Sequence, residues 1–138
     1  MPRIFLLALL AASALRANPV AAQSSQFDGV WGVTISCPAV ADATGYTLRF
    51  PARVTRGSLA GENGAPGQPG YLRLTGSIQA DGSALLEAHG LVGSPRTAIG
   101  QLPSLTPYHY TAAARFAGDH GTGNRTSVRP CSLDFVRS

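Results

Sequence analysis

The chain has 138 residues, among them 11 arginines, no lysine, seven acidic residues and two cysteines. This length fits one domain with or without a targeting segment, and it is too short for a doubly wound cofactor-binding core or a TIM barrel. Hydrophobic residues make up 44% of the chain, which argues against a disordered tail, and the dispersed arginines argue against nucleic-acid binding.

The first 22 residues have the pattern of a secretory signal peptide. Arg3 supplies the positive charge, and residues 4–15 form an apolar run that is shorter than the roughly 20 residues of a membrane span. Small residues then predict cleavage before Gln23, whereas the alternative for this segment is a buried N-terminal helix. We therefore expect a mature domain at residues 23–138, periplasmic or secreted, with no stable membrane insertion after cleavage.

The two cysteines, Cys37 and Cys131, both remain in the mature chain. In an oxidising compartment an even number of cysteines predicts a disulfide, and two cysteines allow one pairing. Closing so long a loop contributes about 4 kcal/mol to stability by chain entropy. The alternative is a pair of reactive or metal-binding thiols, which the lack of a C-x-x-C spacing disfavours.

Hydrophobic residues alternate with polar or small residues almost throughout the mature chain. The alternation predicts strands at residues 31–37 and 46–55, with Pro51 indicating an edge or a bulge in the second strand. A short third strand is predicted at residues 58–61. The following segment, residues 64–70, is a loop by composition.

The central part of the chain contains a clear hairpin signal. Residues 72–78 and 83–91 alternate, and the Asp81-Gly82 dipeptide between them is typical of a tight turn. Residues 93–107 form a long loop of the kind that often carries binding residues. Residues 108–116 are the next predicted strand.

The C-terminal part predicts a turn at residues 118–121, a short strand at 124–128 and a last strand at 131–136. About eight strands joined by turns are typical of an all-β sandwich or up-and-down barrel. We favour a small antiparallel barrel, because closure removes edge strands and the predicted disulfide joins the first and last strands. The predicted interior comprises Trp31, Val33, Ile35, Leu48, Phe50, Leu72, Leu74, Ile78, Leu86, Tyr110, Phe116, Leu133 and Phe135.

Four short motifs carry a resemblance to other proteins. They are Phe27-Asp28-Gly29-x-Trp31-x-Val33 followed by Cys37, Tyr46-x-x-Arg49-Phe50-Pro51, Gly121-x-Gly123-x-Arg125 and Cys131-x-x-x-Phe135-x-Arg137. In these motifs the chain resembles a group of small exported proteobacterial proteins. Its Gly-x-Trp opening is also similar to that of lipocalins and avidin, in which the tryptophan closes one barrel end. The resemblance implies export and an all-β fold, and it brings no activity.

The sequence contains no recognisable catalytic constellation, so we expect neither an enzyme nor a cofactor. It has no Gly-x-Ser-x-Gly elbow, and both cysteines are expected to be oxidised. His89 and His109 fall on the polar phase of their strands, which predicts solvated surface rather than a metal site. The alternative is that the two strands are adjacent and the histidines, with Glu87, bind zinc.

The candidate ligand-binding residues are Tyr71, Arg96, Tyr108 and His109. They lie in or beside the two irregular loops, and aromatic and arginine side chains are enriched in binding surfaces. For Tyr108, as for Tyr110, the alternative is a core position with a solvated hydroxyl group, and for Tyr110 this alternative is favoured.

These observations favour a non-catalytic exported binding module whose partner is an unknown small ligand or an envelope protein. The alternative is a periplasmic inhibitor of a protease or lysozyme, in which a loop or the arm at residues 23–26 enters an active site. That alternative is an analogy at the level of the fold.

Overall fold

The computed structural model describes residues 14–15 and 25–138. Apart from Ala14 and Leu15, the predicted signal peptide lies outside the described residues, and its cleavage remains a prediction. In the described ranges, no helix combines the length and the apolarity needed to cross a membrane.

The domain is a closed antiparallel barrel in which each strand pairs with its neighbours in chain order and the last strand pairs with the first. The strands are β1 (Gly29–Cys37), β2 (Tyr46–Thr55), β3 (Ser58–Asn63), β4 (Leu72–Ile78), β5 (Ser83–Leu91), β6 (Pro107–Ala117), β7 (His120–Arg125) and β8 (Ser132–Arg137). The predicted eight-stranded barrel is therefore confirmed.

Alternation along the strands places apolar side chains inside the barrel and polar side chains outside. Every predicted interior residue is buried except Leu48, which is partly buried and packs against the core. Strand β5 shows the rule clearly: Leu86 is fully buried, whereas the next residue, Glu87, faces solvent. The barrel interior is thus the hydrophobic core of the protein.

One end of the barrel, here called the closed end, is filled by aromatic side chains. The rings of Trp31 and Phe116 meet edge to face with centroids 5.3 Å apart, and Phe135 lies 4.8 Å from Phe116. The N-terminal segment adds Phe27, whose carbonyl accepts a hydrogen bond from the Trp31 indole at 2.8 Å. This packing buries the indole completely.

Arg137, the last residue of β8, completes the closed end from outside. Its guanidinium lies 4.8 Å from the Trp31 ring centroid, within the range of a cation–π interaction. It donates hydrogen bonds to the carbonyls of Gln26 and Asp28 at 2.9 and 2.7 Å, and its Nε lies 2.8 Å from an Asp119 carboxylate oxygen. One side chain therefore joins the N-terminal segment, β8 and the β6–β7 turn.

The opposite end, here called the open end, carries four longer connections and the disulfide. The connections span residues 38–45, 64–71, 92–106 and 126–131. The Cys37–Cys131 bond links the end of β1 to the residue before β8 and confirms the predicted pairing.

Strand β7 differs from its prediction: it runs from His120 to Arg125, whereas the pattern had predicted a turn at 118–121 and a strand at 124–128. The misleading signal came from two glycines that belong to the strand. A Cβ atom on Gly121 would lie 2.7 Å from the Phe116 ring, and one on Gly123 would lie 3.0 Å from the Ala114 Cβ. Glycine at these positions makes room for interior side chains rather than for a turn.

The barrel wall is split at the open end between β2 and β3. Their pairing covers Ala52–Thr55 of β2, so residues 46–51 pair with β1 alone. Pro51, which has no N–H to donate, lies immediately beyond the paired region. The prediction of an edge at this proline is thereby confirmed.

The contacts of Arg137 predict a matched pair of substitutions. Arg137→Gln removes charge-assisted hydrogen bonds and the cation–π contact, and should lower the free energy of unfolding by about 2 kcal/mol. Arg53→Gln, on the exposed face of β2, should change it by less than about 0.5 kcal/mol. Urea unfolding followed by the fluorescence of Trp31 measures both, and equal effects would contradict the assigned role of Arg137.

The disulfide predicts a second stability effect. Replacing both cysteines by serine should lower the free energy of unfolding by about 4 kcal/mol, because the unfolded chain regains the entropy of a long loop. Adding dithiothreitol should shift the urea midpoint of the native protein and leave that of the Cys37→Ser/Cys131→Ser variant unchanged. A native midpoint that does not respond to reduction would show that the bond contributes little.

Candidate functional site

A cavity of about 380 Å³ occupies the open end of the barrel. Its walls come from β2, β5, β6 and β7, and the connections 92–106 and 126–131 form its rim. Leu48 and Leu91 contribute apolar walls, while Ile99, Leu102 and Val128 surround the mouth. Volumes between about 300 and 1,000 Å³ with mainly apolar linings are typical of small-molecule sites.

Tyrosines form one side of the cavity. Tyr108 and Tyr110 are successive inward residues of β6, and their rings stack with centroids 6.3 Å apart. Tyr108 lies flat against Gly90 of β5, where a Cβ atom would come within 2.5 Å of the ring. Gly90 therefore allows Tyr108 to follow the wall instead of filling the cavity, to which Tyr46 of β2 contributes a further aromatic wall.

Arg125, the last residue of β7, points into the cavity. It is in phase with the buried Gly121 and Gly123, and it pairs across the sheet with Ala112, whose small side chain leaves space above it. The guanidinium carbon lies 4.4 Å from the centroid of the Tyr110 ring. Within the part of the chain that the structure describes, the buried Arg125 Nε and Tyr110 hydroxyl have no hydrogen-bond partner.

Arg129 has a different role, although it also borders the cavity. It is 4% exposed, and its guanidinium donates to the carbonyls of Pro38, Thr44 and Thr97 at distances between 2.6 and 3.1 Å. These carbonyls belong to two other connections of the open end. The guanidinium also lies 5.0 Å from the Tyr46 ring centroid, so Arg129 fixes the rim to the wall.

A strained turn precedes Arg129. Val128 has a φ of +57°, a conformation that is unfavourable for a β-branched residue. The Arg129 amide donates to the Ser127 carbonyl at 2.7 Å across this turn. Val128 stands exposed at the mouth, while its neighbour Arg129 is buried.

Backbone hydrogen bonds hold the rest of the rim. The Thr44 amide donates to the Arg96 carbonyl at 2.8 Å, and the Gly100 amide donates to the Asp42 carboxylate at 3.0 Å. The Val92 amide donates to the Thr106 carbonyl at 2.9 Å, and the Val92 carbonyl accepts from the Leu105 amide at 2.8 Å. The mouth is therefore preorganised, which reduces the entropy lost when a ligand binds.

The electrostatic character of the cavity is positive. Its lining includes Arg125 and Arg129, and among the described lining residues there is no aspartate or glutamate. Burial raises the pKa of Tyr108 and of Tyr110 far above the usual value of about 10, and the Tyr46 hydroxyl adds to both shifts. These hydroxyl groups therefore stay protonated and can act as hydrogen-bond donors.

The structure brings one of the four sequence-predicted ligand-binding residues into the cavity, namely Tyr108. Tyr71 is partly buried at the end of its loop, where its backbone carbonyl accepts from Leu91. The Arg96 side chain is exposed, and His109 lies on the outer wall. These three do not converge with Tyr108.

His89 and His109 face each other across β5 and β6 with ring centroids 5.7 Å apart, so the two strands are adjacent. Glu87 lies 3.8 Å from His89, and all three side chains are exposed. In the described ranges, no group of three or more histidine, cysteine, aspartate or glutamate side chains is arranged to hold a metal ion.

The inward arginines, Arg125 and Arg129, were not among the sequence-predicted site residues. A signal for Arg125 was present in the Gly121-x-Gly123-x-Arg125 motif, whose period of two places all three residues on one face of a strand. Arg129 has the same parity, but it lies in the connection 126–131, where the period of two of a strand no longer predicts the direction of a side chain.

Comparisons with known protein families, with curated proteins and with solved structures found no match.

The raised pKa of the buried tyrosines predicts loss of stability in alkali. The folded state keeps the Tyr110 proton at a pH where the unfolded chain releases it, so stability is complete below about pH 10 and falls as the pH rises further. Each such tyrosine contributes a slope of about 1.4 kcal/mol per pH unit. Between pH 10 and 11, where the unfolded tyrosine is partly ionised, Tyr110→Phe should reduce the slope by about 1 kcal/mol per pH unit, as measured by urea unfolding, and an unchanged slope would contradict the shift.

Proposed function

We propose that this protein is an exported, non-catalytic binding module that holds a small, mainly apolar molecule in the open-end cavity. The observation that carries the proposal is the cavity of about 380 Å³, with apolar walls and a few inward polar groups. This combination of volume and lining is that of a small-molecule site rather than of a packing defect.

The asymmetry between the two barrel ends supports this function. At the closed end large aromatic residues such as Trp31 and Phe116 fill the interior, so the fold is able to pack the barrel completely. At the open end Gly90 lets Tyr108 lie flat along the wall, and the space remains. A packed core would be more stable, so retained space with a fixed rim favours ligand binding.

The chemistry of the cavity supports binding rather than catalysis. The polar side chains of its lining include Arg125, Tyr46 and Tyr108. With its pKa raised by burial, the Tyr108 hydroxyl does not act as a general base near neutral pH. It is suited to orienting a ligand.

The proposed function also places the protein outside the cytoplasm. The predicted signal peptide and the Cys37–Cys131 disulfide both support an oxidising compartment. In the periplasm or outside the cell, a small closed barrel can shield an apolar molecule from water and carry or store it.

The hydrolase-inhibitor alternative needs a segment that projects into another protein's active site. The longest connection, residues 92–106, is instead held over the cavity through the bond from Arg129 to the Thr97 carbonyl. The described part of the N-terminal arm is tied to the closed end by Arg137 through the Gln26 carbonyl. These contacts favour the ligand-binding function.

A matched pair of substitutions, each replacing an alanine by phenylalanine, tests whether the ligand binds in the cavity. Ala98→Phe places a large side chain in the lining, whereas Ala113→Phe makes the same change on the exposed outer face of β6. The mature protein should bind the uncharged fluorophore N-phenyl-1-naphthylamine with 1:1 stoichiometry. Ala98→Phe should weaken this binding by about tenfold or more, and Ala113→Phe should leave it unchanged.

Fluorescence titration measures these affinities, and urea unfolding verifies that both variants are folded. Saturable binding that responds equally to the two substitutions would place the ligand elsewhere. If the fluorophore does not bind and the protein inhibits a protease or lysozyme from a test panel, the inhibitor function replaces the one proposed.

A further inference from the structure

We propose that the ligand is an amphiphilic monocarboxylate whose carboxylate binds the guanidinium of Arg125 while its apolar body fills the cavity and reaches the mouth. This inference rests on the proposed ligand-binding function and adds the chemical class of the ligand. It depends on one feature, an inward cation that the described protein leaves without a hydrogen-bonding partner.

The three arginines that contact the barrel interior differ in how the protein uses them. Arg137 donates to backbone carbonyls and meets the Asp119 carboxylate, and Arg129 donates four hydrogen bonds to three carbonyls. The hydrogen bonds of these two guanidinium groups are made within the protein, where they join segments of the chain. For Arg125 the contact within the described structure is the face of the Tyr110 ring, which leaves its N–H groups free to bind something else.

Arg125 is partly buried, with its Nε shielded from solvent, and leaving such a cation unpaired is unfavourable. A charge removed from water needs a counterion or several hydrogen bonds, and the tyrosine ring replaces only part of that stabilisation. The backbone around Arg125 is well fixed, since its amide donates to the Cys131 carbonyl at 2.9 Å beside the disulfide. A rigidly held, unpaired cation in a cavity is the arrangement expected of a site for an anion.

The charge of the cavity and the geometry of its arginine indicate which class of anion it can bind. One free guanidinium with no acidic residue among the described lining matches a single negative charge. The planar fork of arginine pairs with the two oxygens of a carboxylate through parallel hydrogen bonds. The hydroxyl groups of Tyr46 and Tyr108, which border the same cavity, are further polar contacts for the head group.

The remainder of the ligand is apolar. Ile99, Leu102 and Val128 surround the mouth, with 36%, 43% and 79% of their surfaces exposed. Exposure of these apolar side chains to water is unfavourable in free energy, and contact with an alkyl or aromatic group removes part of that exposure. At about 30 Å³ for each water-sized group, the cavity has room for roughly a dozen non-hydrogen atoms, which is the size of a medium-chain fatty acid, and its open mouth lets a bulkier molecule extend beyond it.

The test compares decanoate with uncharged and cationic molecules of equal length, decan-1-ol and decylamine. Each displaces N-phenyl-1-naphthylamine from the mature, delipidated protein at pH 7, and the fall in fluorescence gives its affinity. The proposal expects decanoate to bind at least about tenfold more tightly than decan-1-ol, and decylamine to bind most weakly.

Arg125→Met, which removes the charge and keeps an unbranched apolar side chain, should abolish the preference for decanoate over decan-1-ol. The control Arg115→Met, on the exposed outer face of β6, should preserve the preference. Because it removes an unpaired, partly buried charge, Arg125→Met should also raise the urea midpoint, which a structural arginine would not do.

Two outcomes overturn the inference in distinguishable ways. If the fluorophore binds and is displaced equally by decanoate and decan-1-ol in the native protein, the cavity binds ligands but the carboxylate assignment is wrong. If the native protein binds neither the fluorophore nor decanoate, the ligand-binding function itself fails. The native comparison needs no variant, so the test stands even if Arg125→Met does not fold.

Discussion

Strand β8 closes the barrel with six residues, and every other feature of the molecule depends on that closure. Its pairing with β1 is reinforced at both ends by different chemistry. At the open end the disulfide joins Cys37 to Cys131, and at the closed end Arg137 joins β8 to the N-terminal segment and covers Trp31. Without this closure the sheet would have two exposed edges and no enclosed interior.

Side-chain size along the inward phase divides the barrel into a packed half and a hollow half. In the packed half, glycines are covered by large neighbours, as Gly121 is by Phe116 and Gly76 is by Leu86. In the hollow half the inward residues are tyrosines that follow the wall and an arginine that no described carboxylate neutralises. The same eight-stranded barrel therefore contains both a stabilising core and a cavity.

Much of the fold could be predicted from the sequence, because a period of two directly reports which side chains face the core of a sheet. The strands with regular alternation, the disulfide and twelve of the thirteen interior positions followed from this pattern. Strand β7 did not, since a glycine in a sequence can indicate either a turn or a strand position that is covered by a large side chain.

The site was predicted less well than the fold. Tyr108 was found by its position beside a loop, whereas Tyr71, Arg96 and His109 shared that position and point elsewhere. Proximity to a loop in the sequence carries no information about the direction of a side chain, and Arg129 lies in a connection that contains a residue of positive φ, Val128.

The clamp formed by Arg129 has a consequence for how a ligand enters and leaves. A single guanidinium holds carbonyls from two connections, at Pro38, Thr44 and Thr97, and is itself part of a third. Separating any one connection would break charge-assisted hydrogen bonds in a buried setting, so the rim moves as one body. For the ligand-binding function proposed above, exchange would then proceed through rotation of the exposed side chains at the mouth, such as Val128 and Leu102, on the nanosecond scale of such motions rather than through slow opening of a lid. A barrel built in this way would equilibrate rapidly with its surroundings and release a bound molecule by dilution.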